Sequence, residues 1–271
     1  SWQLFCRRWE LQLPKSTGED EMKIALIGYG RMGREVERVA KLRGHSICAV
    51  IDRSEAAATH KEIDGKASCL KDAEVVIDFT MPAVAIDNIR KVTAAKKNMV
   101  VGTTGWYDSI TQAKQLVGAA GTGFIYSSNF SVGVNIFYRI VEAAARLVNK
   151  VPDYDVFGYE LHHSQKLDSP SGTAKSIAEI LLKNISRKKQ LQYGKLDRKI
   201  NPEELHFASI RSGWIPGTHV VGFDSEADTI ELKHTARNRS GFALGAVMAA
   251  EWLDGRKGFF TMNDFISDFF K

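Results

Sequence analysis

Residues 22–33 read MKIALIGYGRMG, a short aliphatic run followed by three glycines in the spacing G-x-G-x-x-G. The aliphatic run predicts a buried strand. After the glycines, the apolar residues Val36, Val39 and Ala40 recur at helical spacing. A strand that passes through such a loop into a helix is the setting in which a dinucleotide diphosphate is bound. The sequence therefore opens with a predicted strand, glycine turn and helix.

Each glycine of this turn has its own physical reason. Gly28 permits the tight turn, Gly30 lets the backbone approach a diphosphate, and Gly33 lets the helix pack close to the strand. The helix N-terminus adds free N–H groups and a partial positive charge. The alternative is an ordinary strand-to-helix turn that binds no ligand.

An acidic and a basic residue follow the second predicted strand. Asp52 lies 19 residues beyond Gly33, where a carboxylate can hold a ribose 2′-hydroxyl. Arg53 comes next, and its guanidinium matches the oxygens of a 2′-phosphate. The adjacent pair predicts that both NADH and NADPH are used. The alternative for Arg53 is a solvated loop charge.

Short apolar strands alternate with helical stretches up to residue 127. Strands are predicted at residues 23–28, 47–52, 75–80, 98–102 and 124–127, with helices at residues 34–42, 83–96 and 109–118. This alternation indicates an α/β fold with a Rossmann-type, doubly wound parallel sheet. Ligands bind outside the carboxyl ends of such strands, so the loops at residues 102–105 and 127–130 are expected at one rim.

The pattern changes after residue 131. Strands are predicted at residues 154–162, 204–210, 219–223 and 229–234, with helices at residues 132–148 and 173–185. This indicates an inserted α+β domain at residues 131–240 with a mixed or antiparallel sheet. A helix at residues 241–253 and an aromatic, amphipathic tail complete the dinucleotide-binding domain, predicted as residues 22–130 and 241–271. Residues 1–21 are expected to be a disordered leader or expression remnant.

Composition excludes several classes of protein. The 271 residues are 44% hydrophobic and 25% charged, with no apolar stretch long enough to span a membrane, so disordered, fibrous and membrane proteins are excluded. The net charge of +5 favours anionic partners, but no basic run indicates nucleic acid. Cys6, Cys48 and Cys69 show neither disulfide nor metal spacing, so we expect no metal site and a cytoplasmic location.

The stretch ELHHSQKLDSPSGT at residues 160–173 concentrates chemical groups. His162, His163 and Lys166 are poor neighbours when charged, unless an anion lies among them. Gly172 and Thr173 begin a predicted helix whose N–H groups suit a carboxylate, so an acidic small molecule is the expected substrate. One alternative is a plain helix cap with surface histidines. A zinc site is disfavoured because no third ligand follows at useful spacing.

Five motifs together resemble one enzyme family. They are GYGRMG, VIDFTMP, VGTTG, SNFSVGVN and, above all, ELHHSQKLDSPSGTA. From residue 22 to the C-terminus the sequence resembles 4-hydroxy-tetrahydrodipicolinate reductase, formerly called dihydrodipicolinate reductase, of bacterial lysine and diaminopimelate synthesis. The resemblance implies that NADPH or NADH reduces a cyclic imine dicarboxylate.

The resemblance also implies roles for individual residues. His162 corresponds to the catalytic acid or base and Lys166 to the proton donor, and which of them gives the proton stays open. His163, Gly172 and Thr173 correspond to substrate contacts. The implied cofactor contacts are Gly28, Tyr29, Gly30, Arg31, Met32, Gly33, Asp52, Arg53, Gly102, Thr103, Thr104, Ser127, Ser128, Asn129 and Phe130. The second domain is implied to bind the substrate dicarboxylate and to join a homotetramer.

Two other functions share part of this pattern. A Rossmann dehydrogenase acting on an amino-acid semialdehyde would share the first 130 residues without needing the H-H-x-x-K and S-G-T motifs. A non-catalytic redox sensor that binds NAD(H) and then nucleic acid would fit the basic charge. The lack of a basic run or helix-turn-helix pattern argues against the sensor.

Overall fold

The computed structural model describes residues 21–269 and divides the chain into two compact units. The first unit comprises the described residues up to Ser131 together with those from Arg239 onward, and the second is Val132–Asn238. The predicted leader lies outside the described residues apart from Glu21. Within residues 21–269, no helix is long and apolar enough to cross a membrane.

Residues 21–269 contain eleven β-strands and seven α-helices. The strands are β1 (Lys23–Ile27), β2 (Ser46–Ile51), β3 (Val75–Asp78), β4 (Asn98–Val101), β5 (Gly123–Tyr126), β6 (Asp155–His162), β7 (Gln190–Gln192), β8 (Glu204–Arg211), β9 (Thr218–Asp224), β10 (Thr229–Thr235) and β11 (Gly258–Thr261). The helices are α1 (Arg31–Leu42), α2 (Pro82–Ala94), α3 (Ile110–Ala120), α4 (Val132–Val148), α5 (Gly172–Asn184), α6 (Ser240–Trp252) and α7 (Met262–Phe269).

A six-stranded sheet forms the centre of the first unit, in the order β11-β5-β4-β3-β1-β2. Its neighbouring strands all run parallel, which confirms the predicted Rossmann-type α/β sheet. The strands are nearly continuous apolar runs because helices cover both faces of a parallel sheet. Ile24, Val76 and Phe124 are fully buried there.

The aromatic tail completes this sheet. The sequence predicted only an amphipathic segment, whereas the chain forms the strand β11 followed by the helix α7. Phe259 on β11 stacks on Phe124 of β5, with ring centroids 4.8 Å apart. Aromatic stacking of this kind stabilises the pairing of the last strand with β5.

A five-stranded sheet forms the second unit, in the order β10-β9-β6-β8-β7. β8 runs parallel to β6 and β7, and β9 runs antiparallel to β6 and β10, so the predicted mixed sheet is confirmed. Every second residue of β6 from Val156 onward is buried. Residues of α4, α5 and the sheet form one core, among them Phe137, Val141, Ile177, Leu181, Phe207 and Val221. The short strand β7 was not predicted.

A buried ion pair joins the end of α1 to α6 in the first unit. Arg43 donates through Nε and Nη2 to the two carboxylate oxygens of Glu251, at 2.6 and 2.7 Å. Nε2 of His45 lies 2.8 Å from the same carboxylate. Burial alone would raise the pKa of Glu251, but His45 and Arg43 outweigh it and hold that pKa below its ordinary value.

Replacing Glu251 with alanine leaves the charge of Arg43 buried without its partner. We expect Glu251→Ala to lower the free energy of unfolding at pH 7 by about 3 kcal/mol in urea denaturation. Because the folded protein holds the pKa of Glu251 down, the difference should shrink as the pH falls below about 4. The control is Asp87→Ala, since Asp87 pairs with Arg90 on an exposed helix surface and should contribute less than about 1 kcal/mol. Equal losses in the two variants would contradict the role of the buried pair.

Candidate active site

The glycine turn between β1 and α1 has the shape that phosphate binding needs. Gly28 has a φ of +86°, and a Cβ there would lie 2.3 Å from the carbonyl oxygen of Phe79. A Cβ on Gly33 would lie 2.1 Å from the carbonyl oxygen of Gly28, so glycine is what allows α1 this close to the turn. A Cβ on Gly30 would meet nothing within 4 Å. The turn is therefore tightly packed on its protein side and open at Gly30.

The first turn of α1 keeps its N–H groups available to an anion. The N-cap residue is Gly30, which has no side chain to accept a hydrogen bond from them. Arg31 is exposed at this position and Met32 is half-buried. Tyr29 is buried, with the guanidinium of Arg34 lying 4.6 Å from its ring centroid. The side chain of Tyr29 therefore packs against the protein, and Tyr29 takes part in the turn through its backbone alone.

Asp52 ties the loop after β2 to the glycine turn. Its carboxylate accepts hydrogen bonds from the N–H groups of Tyr29, Ser54 and Glu55, at 2.7, 2.8 and 3.1 Å. Burial alone would raise the pKa of Asp52, but these three donors outweigh it and lower that pKa. Asp52 is therefore an ionised acceptor beside the turn, and the neighbouring Arg53 is exposed.

A cavity of about 250 Å³ lies at the carboxyl ends of the parallel strands. The predicted cofactor residues in its wall are Met32, Gly102, Ser127, Ser128 and Phe130. Three further wall residues, Phe79, Arg239 and Phe242, were not predicted. A Cβ on Gly102 would lie 2.1 Å from the ring of Phe79, so this glycine makes room for the aromatic wall. The loops after β3, β4 and β5 and the start of α6 thus meet at one cavity.

The two threonines of the loop after β4 have different surroundings. Oγ1 of Thr103 donates to Asp78 at 2.7 Å and accepts the N–H of Thr80 at 2.7 Å, whereas Thr104 is exposed. Asp78 is fully buried, and burial raises its pKa. An acidic residue inside the apolar run VVIDF is a signal that sequence reasoning missed, because a buried carboxyl group needs partners. Asp78 and Thr103 together hold this loop in place.

The loop after β5 is fixed by its own hydrogen bonds. The hydroxyl of Ser127 donates to the carbonyl oxygen of Asn129 at 2.9 Å and accepts the N–H of Asn129 at 3.0 Å. Oδ1 of Asn129 accepts the N–H of Ser131 at 2.9 Å. Phe130 is buried and packs edge-to-face on Phe79, with ring centroids 6.4 Å apart. Asn129 therefore stabilises the loop through its hydrogen bonds to Ser127 and Ser131.

In the second unit, His162 ends β6 in a buried polar group. The residue is 8% exposed, and its Nε2 lies 3.2 Å from Oε2 of Glu160 and 3.5 Å from Nε2 of His219. Glu160 and His162 face the same side because side chains alternate along a strand. Burial lowers the pKa of His219, and the charge of Glu160 only partly opposes this. The predicted acid or base thus lies directly beside a carboxylate.

His163 and Lys166 follow in the loop after β6. His163 is half-buried, and its carbonyl oxygen accepts the N–H of Lys166 at 3.1 Å. Nζ of Lys166 lies 2.7 Å from Oδ1 of Asp168. Burial alone would raise the pKa of Asp168, but Lys166 outweighs it and lowers that pKa. The loop therefore holds the ammonium group of Lys166 in a partly exposed ion pair with Asp168.

The start of α5 combines a helix cap with an open glycine. Oγ of Ser171 accepts the N–H of Ala174 at 3.1 Å, so Ser171 is the N-cap. A Cβ on Gly172 would meet nothing within 4 Å. The hydroxyl of Thr173 is hydrogen-bonded to that of Tyr138. The cap belongs to Ser171, which leaves the space at Gly172 open to a ligand.

Two further possible metal ligands lie beside His162 in the fold. No third metal ligand follows His162 at useful spacing along the chain, but the fold brings Glu160 and His219 to it, with three possible ligand atoms within 4.8 Å of one another. His219 comes from β9 and pairs with Glu160 in the β6–β9 register. Spacing along the chain carries no signal for this group, because strand register creates it.

Comparisons with known proteins give the family. Models described as dihydrodipicolinate reductase, N-terminus, and dihydrodipicolinate reductase, C-terminus, match residues 22–130 and 133–266. A relative from Christiangramia forsetii, named 4-hydroxy-tetrahydrodipicolinate reductase, is 41% identical over 250 residues, which are 92% of this chain and 100% of the relative. The chain belongs to the dihydrodipicolinate reductase family. It is an NAD(P)H-dependent oxidoreductase, as the resemblance of the motifs predicted.

A further relative and a solved structure match the same family. A protein of the same name from Chromobacterium violaceum is 35% identical over 261 residues, covering 89% of this chain and 97% of the relative. A solved, dipicolinate-bound dihydrodipicolinate reductase from a Paenisporosarcina species matches with a TM-score of 0.72 at 22% identity, covering 90% of this chain and 99% of that chain. The structural match supports the fold of the reductase.

The first unit of the reductase fits a nicotinamide dinucleotide. The turn is open at Gly30, the first N–H groups of α1 have no side-chain cap, and Asp52 is an ionised acceptor beside them. Free N–H groups can bind a diphosphate, and an ionised carboxylate can accept a hydrogen bond from a ribose hydroxyl. The chain's own residues are therefore suited to the cofactor of the family.

The open space at Gly30 gives a direct test of cofactor binding. Its φ of −70° is allowed for alanine, so Gly30→Ala should leave the melting temperature unchanged. The added methyl group would occupy the approach of the diphosphate, and we expect the Kd for NADPH in calorimetry to rise about tenfold or more. Gly118→Ala is the matched control, because a Cβ on Gly118 also meets nothing within 4 Å. NADPH binding as tight in Gly30→Ala as in the control would contradict this placement.

Proposed function

We propose that the reductase converts 4-hydroxy-tetrahydrodipicolinate to tetrahydrodipicolinate with NADPH or NADH, a step of lysine and diaminopimelate biosynthesis. The observation that carries the proposal is the stretch at residues 160–173, which places His162, His163 and Lys166 directly before α5 in the chain, in a protein 41% identical to a relative named for this activity. The dipicolinate bound to the Paenisporosarcina enzyme supports a small dicarboxylate as the ligand.

The first unit binds the cofactor in this proposal. The N–H groups of the Gly28–Gly33 turn hold the diphosphate, Asp52 holds a ribose hydroxyl and Arg53 meets the 2′-phosphate of NADPH. The loops after β4 and β5 contact the rest of the cofactor. Their contact residues are Gly102, Thr103, Thr104, Ser127, Ser128, Asn129 and Phe130. When bound, the nicotinamide supplies the hydride. The tightly packed turn and the aromatic wall of the cavity orient it.

The second unit binds the substrate and supplies the proton. The N–H groups at Gly172 and the hydroxyl of Thr173 hold a carboxylate at the start of α5, and His163 contributes a second contact. Reduction of the conjugated imine leaves an electron-rich substrate carbon that requires a proton. His162 or Lys166 delivers it, and each lies beside a carboxylate, Glu160 at 3.2 Å and Asp168 at 2.7 Å.

The assembly and location of the enzyme belong to the same proposal. A homotetramer joined through the second unit follows from the family resemblance. A cytoplasmic location follows from the three cysteines, which show no disulfide spacing. Both are consistent with a biosynthetic enzyme that takes a small dicarboxylate.

A coupled assay tests the reaction. The substrate is generated in situ by a condensing enzyme from pyruvate and aspartate semialdehyde, and NADPH or NADH oxidation is followed by absorbance. We expect oxidation only when both precursors and the condensing enzyme are present. Oxidation with aspartate semialdehyde alone would instead support a semialdehyde dehydrogenase.

Replacing the proton donors tests their roles. We expect His162→Gln and Lys166→Met to lower turnover by about two to four orders of magnitude, because general acid catalysis contributes that much. The Kd for NADPH should stay near that of the wild type, since both residues lie in the second unit. His206→Gln is the control, because His206 lies on β8 and contacts the carbonyl oxygen of Gly194. Turnover close to the wild type in both variants would overturn the assignment.

A further inference from the structure

Glu160 lies at the centre of the buried polar group in the second unit. It is fully buried on β6, the middle strand of the sheet. Ser209 on β8 and His219 on β9 are its direct partners in the strand register. Cross-strand partners present their side chains on the same face, and His162 lies two residues further along β6 on that face. Three neighbouring side chains are thereby directed at one carboxylate.

One carboxylate oxygen of Glu160 is bound by three donors. Oε1 accepts the backbone N–H of Ser171 at 2.9 Å, the hydroxyl of Ser209 at 2.9 Å and Nη2 of Arg211 at 2.7 Å. Ser171 is also the N-cap of α5. These bonds fix the orientation of the carboxylate and join it to the start of the helix that carries Gly172 and Thr173.

The other oxygen of Glu160 faces two imidazoles. Oε2 lies 3.2 Å from Nε2 of His162 and 3.3 Å from Nε2 of His219, at ion-pair distance but without hydrogen-bond geometry. Burial alone would raise the pKa of Glu160, but contacts with His162, His219, Ser171 and Arg211 outweigh it and hold that pKa well below its ordinary value. The carboxylate is therefore an anion. Burial lowers the pKa of His219, so that ring faces Glu160 in its neutral form.

The ring of His162 is held from its other side by a glycine. A Cβ on Gly217 would lie 2.8 Å from Cε1 of His162 and 3.3 Å from its Nδ1. The φ of Gly217 is +152°, a conformation that side chains rarely adopt. The imidazole therefore lies between the carboxylate of Glu160 and bare backbone, and its Nδ1 is the nitrogen not directed at Glu160.

We propose that Glu160 is a positioning residue that keeps a proton on Nε2 of His162 and, through Ser171, fixes the carboxylate-binding start of α5. The proposal rests on the function proposed above, in which His162 is an acid. Nδ1 of the protonated ring gives its proton to the substrate, and the neutral ring then keeps the remaining proton on Nε2 against Glu160. One anion thus couples the orientation of the proton donor to that of the substrate carboxylate.

Other charged and titratable groups act on the same site. Arg211 approaches from β8, His219 from β9 and Lys166 from the loop after β6. Tyr193, after β7, interacts electrostatically with Glu160, and His234 on β10 interacts electrostatically with His219. Arg211 already brings one positive charge to Glu160, so a divalent cation would add two further charges in a buried place where a protonated His162 adds only one. This favours positioning of a proton over ligation of a metal ion.

The first test replaces the charge and keeps the shape. In Glu160→Gln the amide oxygen can still accept the bonds made by Oε1, while Arg211 is left to repel a proton on His162. We expect the alkaline limb of the kcat profile to move to lower pH by about one to three units. Calorimetric NADPH binding should be unchanged. The matched control is Glu204→Gln, because Glu204 is a buried carboxylate on β8 whose Oε1 lies 2.6 Å from Arg198. An alkaline limb that coincides with those of the control and the wild type would overturn the proposal.

The second test needs neither turnover nor a folded variant of Glu160. Nitrogen-15 NMR of histidine in the full-length wild-type protein, with His162 assigned by its loss in His162→Gln, reports which nitrogen holds the proton. We expect the neutral His162 ring to carry it on Nε2. A proton on Nδ1 instead would overturn the proposal whatever the kinetics show. Because no substrate is present, failure here is separate from failure of the coupled assay, which tests the reaction itself.

Discussion

The carboxylate of Glu160 carries a charge where water does not reach, and a buried charge is stable only when partners surround it. Those partners come from β6, β8, β9 and the start of α5. A register shift of one residue in β9 would turn His219 to the opposite face of the sheet. The charge therefore requires one register of the second sheet and one position of α5, and the residues proposed to bind the substrate depend on both.

In the first unit, acidic residues at the ends of the parallel strands also require hydrogen-bond partners. Asp78 ends β3 and Asp52 follows β2, and each carboxyl group accepts hydrogen bonds from several donors, in the surrounding loops and, for Asp78, also in α2. Thr103 and Asn88 are bound by Asp78, and the backbone of Tyr29 by Asp52. Hydrogen bonds within the chain thus organise the loops of the cofactor site, which lowers the entropy that ligand binding has to remove.

Local patterns in the sequence predicted much of this arrangement. The glycine turn, the parallel sheet and the dense stretch at residues 160–173 depend on residues close together in the chain, where hydrophobic period and glycine spacing are informative. His219 and Arg211 were missed because strand register brings them to Glu160 from more than fifty residues away. Phe79, Arg239 and Phe242 were missed for a similar reason, since their shared cavity forms only when the sheet and α6 are assembled.

The last strand of the parallel sheet has a consequence for synthesis. β11 pairs with β5, yet the whole of the second unit, Val132–Asn238, lies between them in the chain. A ribosome therefore synthesises every residue of the second unit before it makes the strand that completes the first. Because domains fold as units during translation, the second unit can reach its native sheet while the first still exposes the edge of β5. That exposed edge, with Phe124 and Tyr126 on it, is the part of the nascent chain most in need of protection from aggregation.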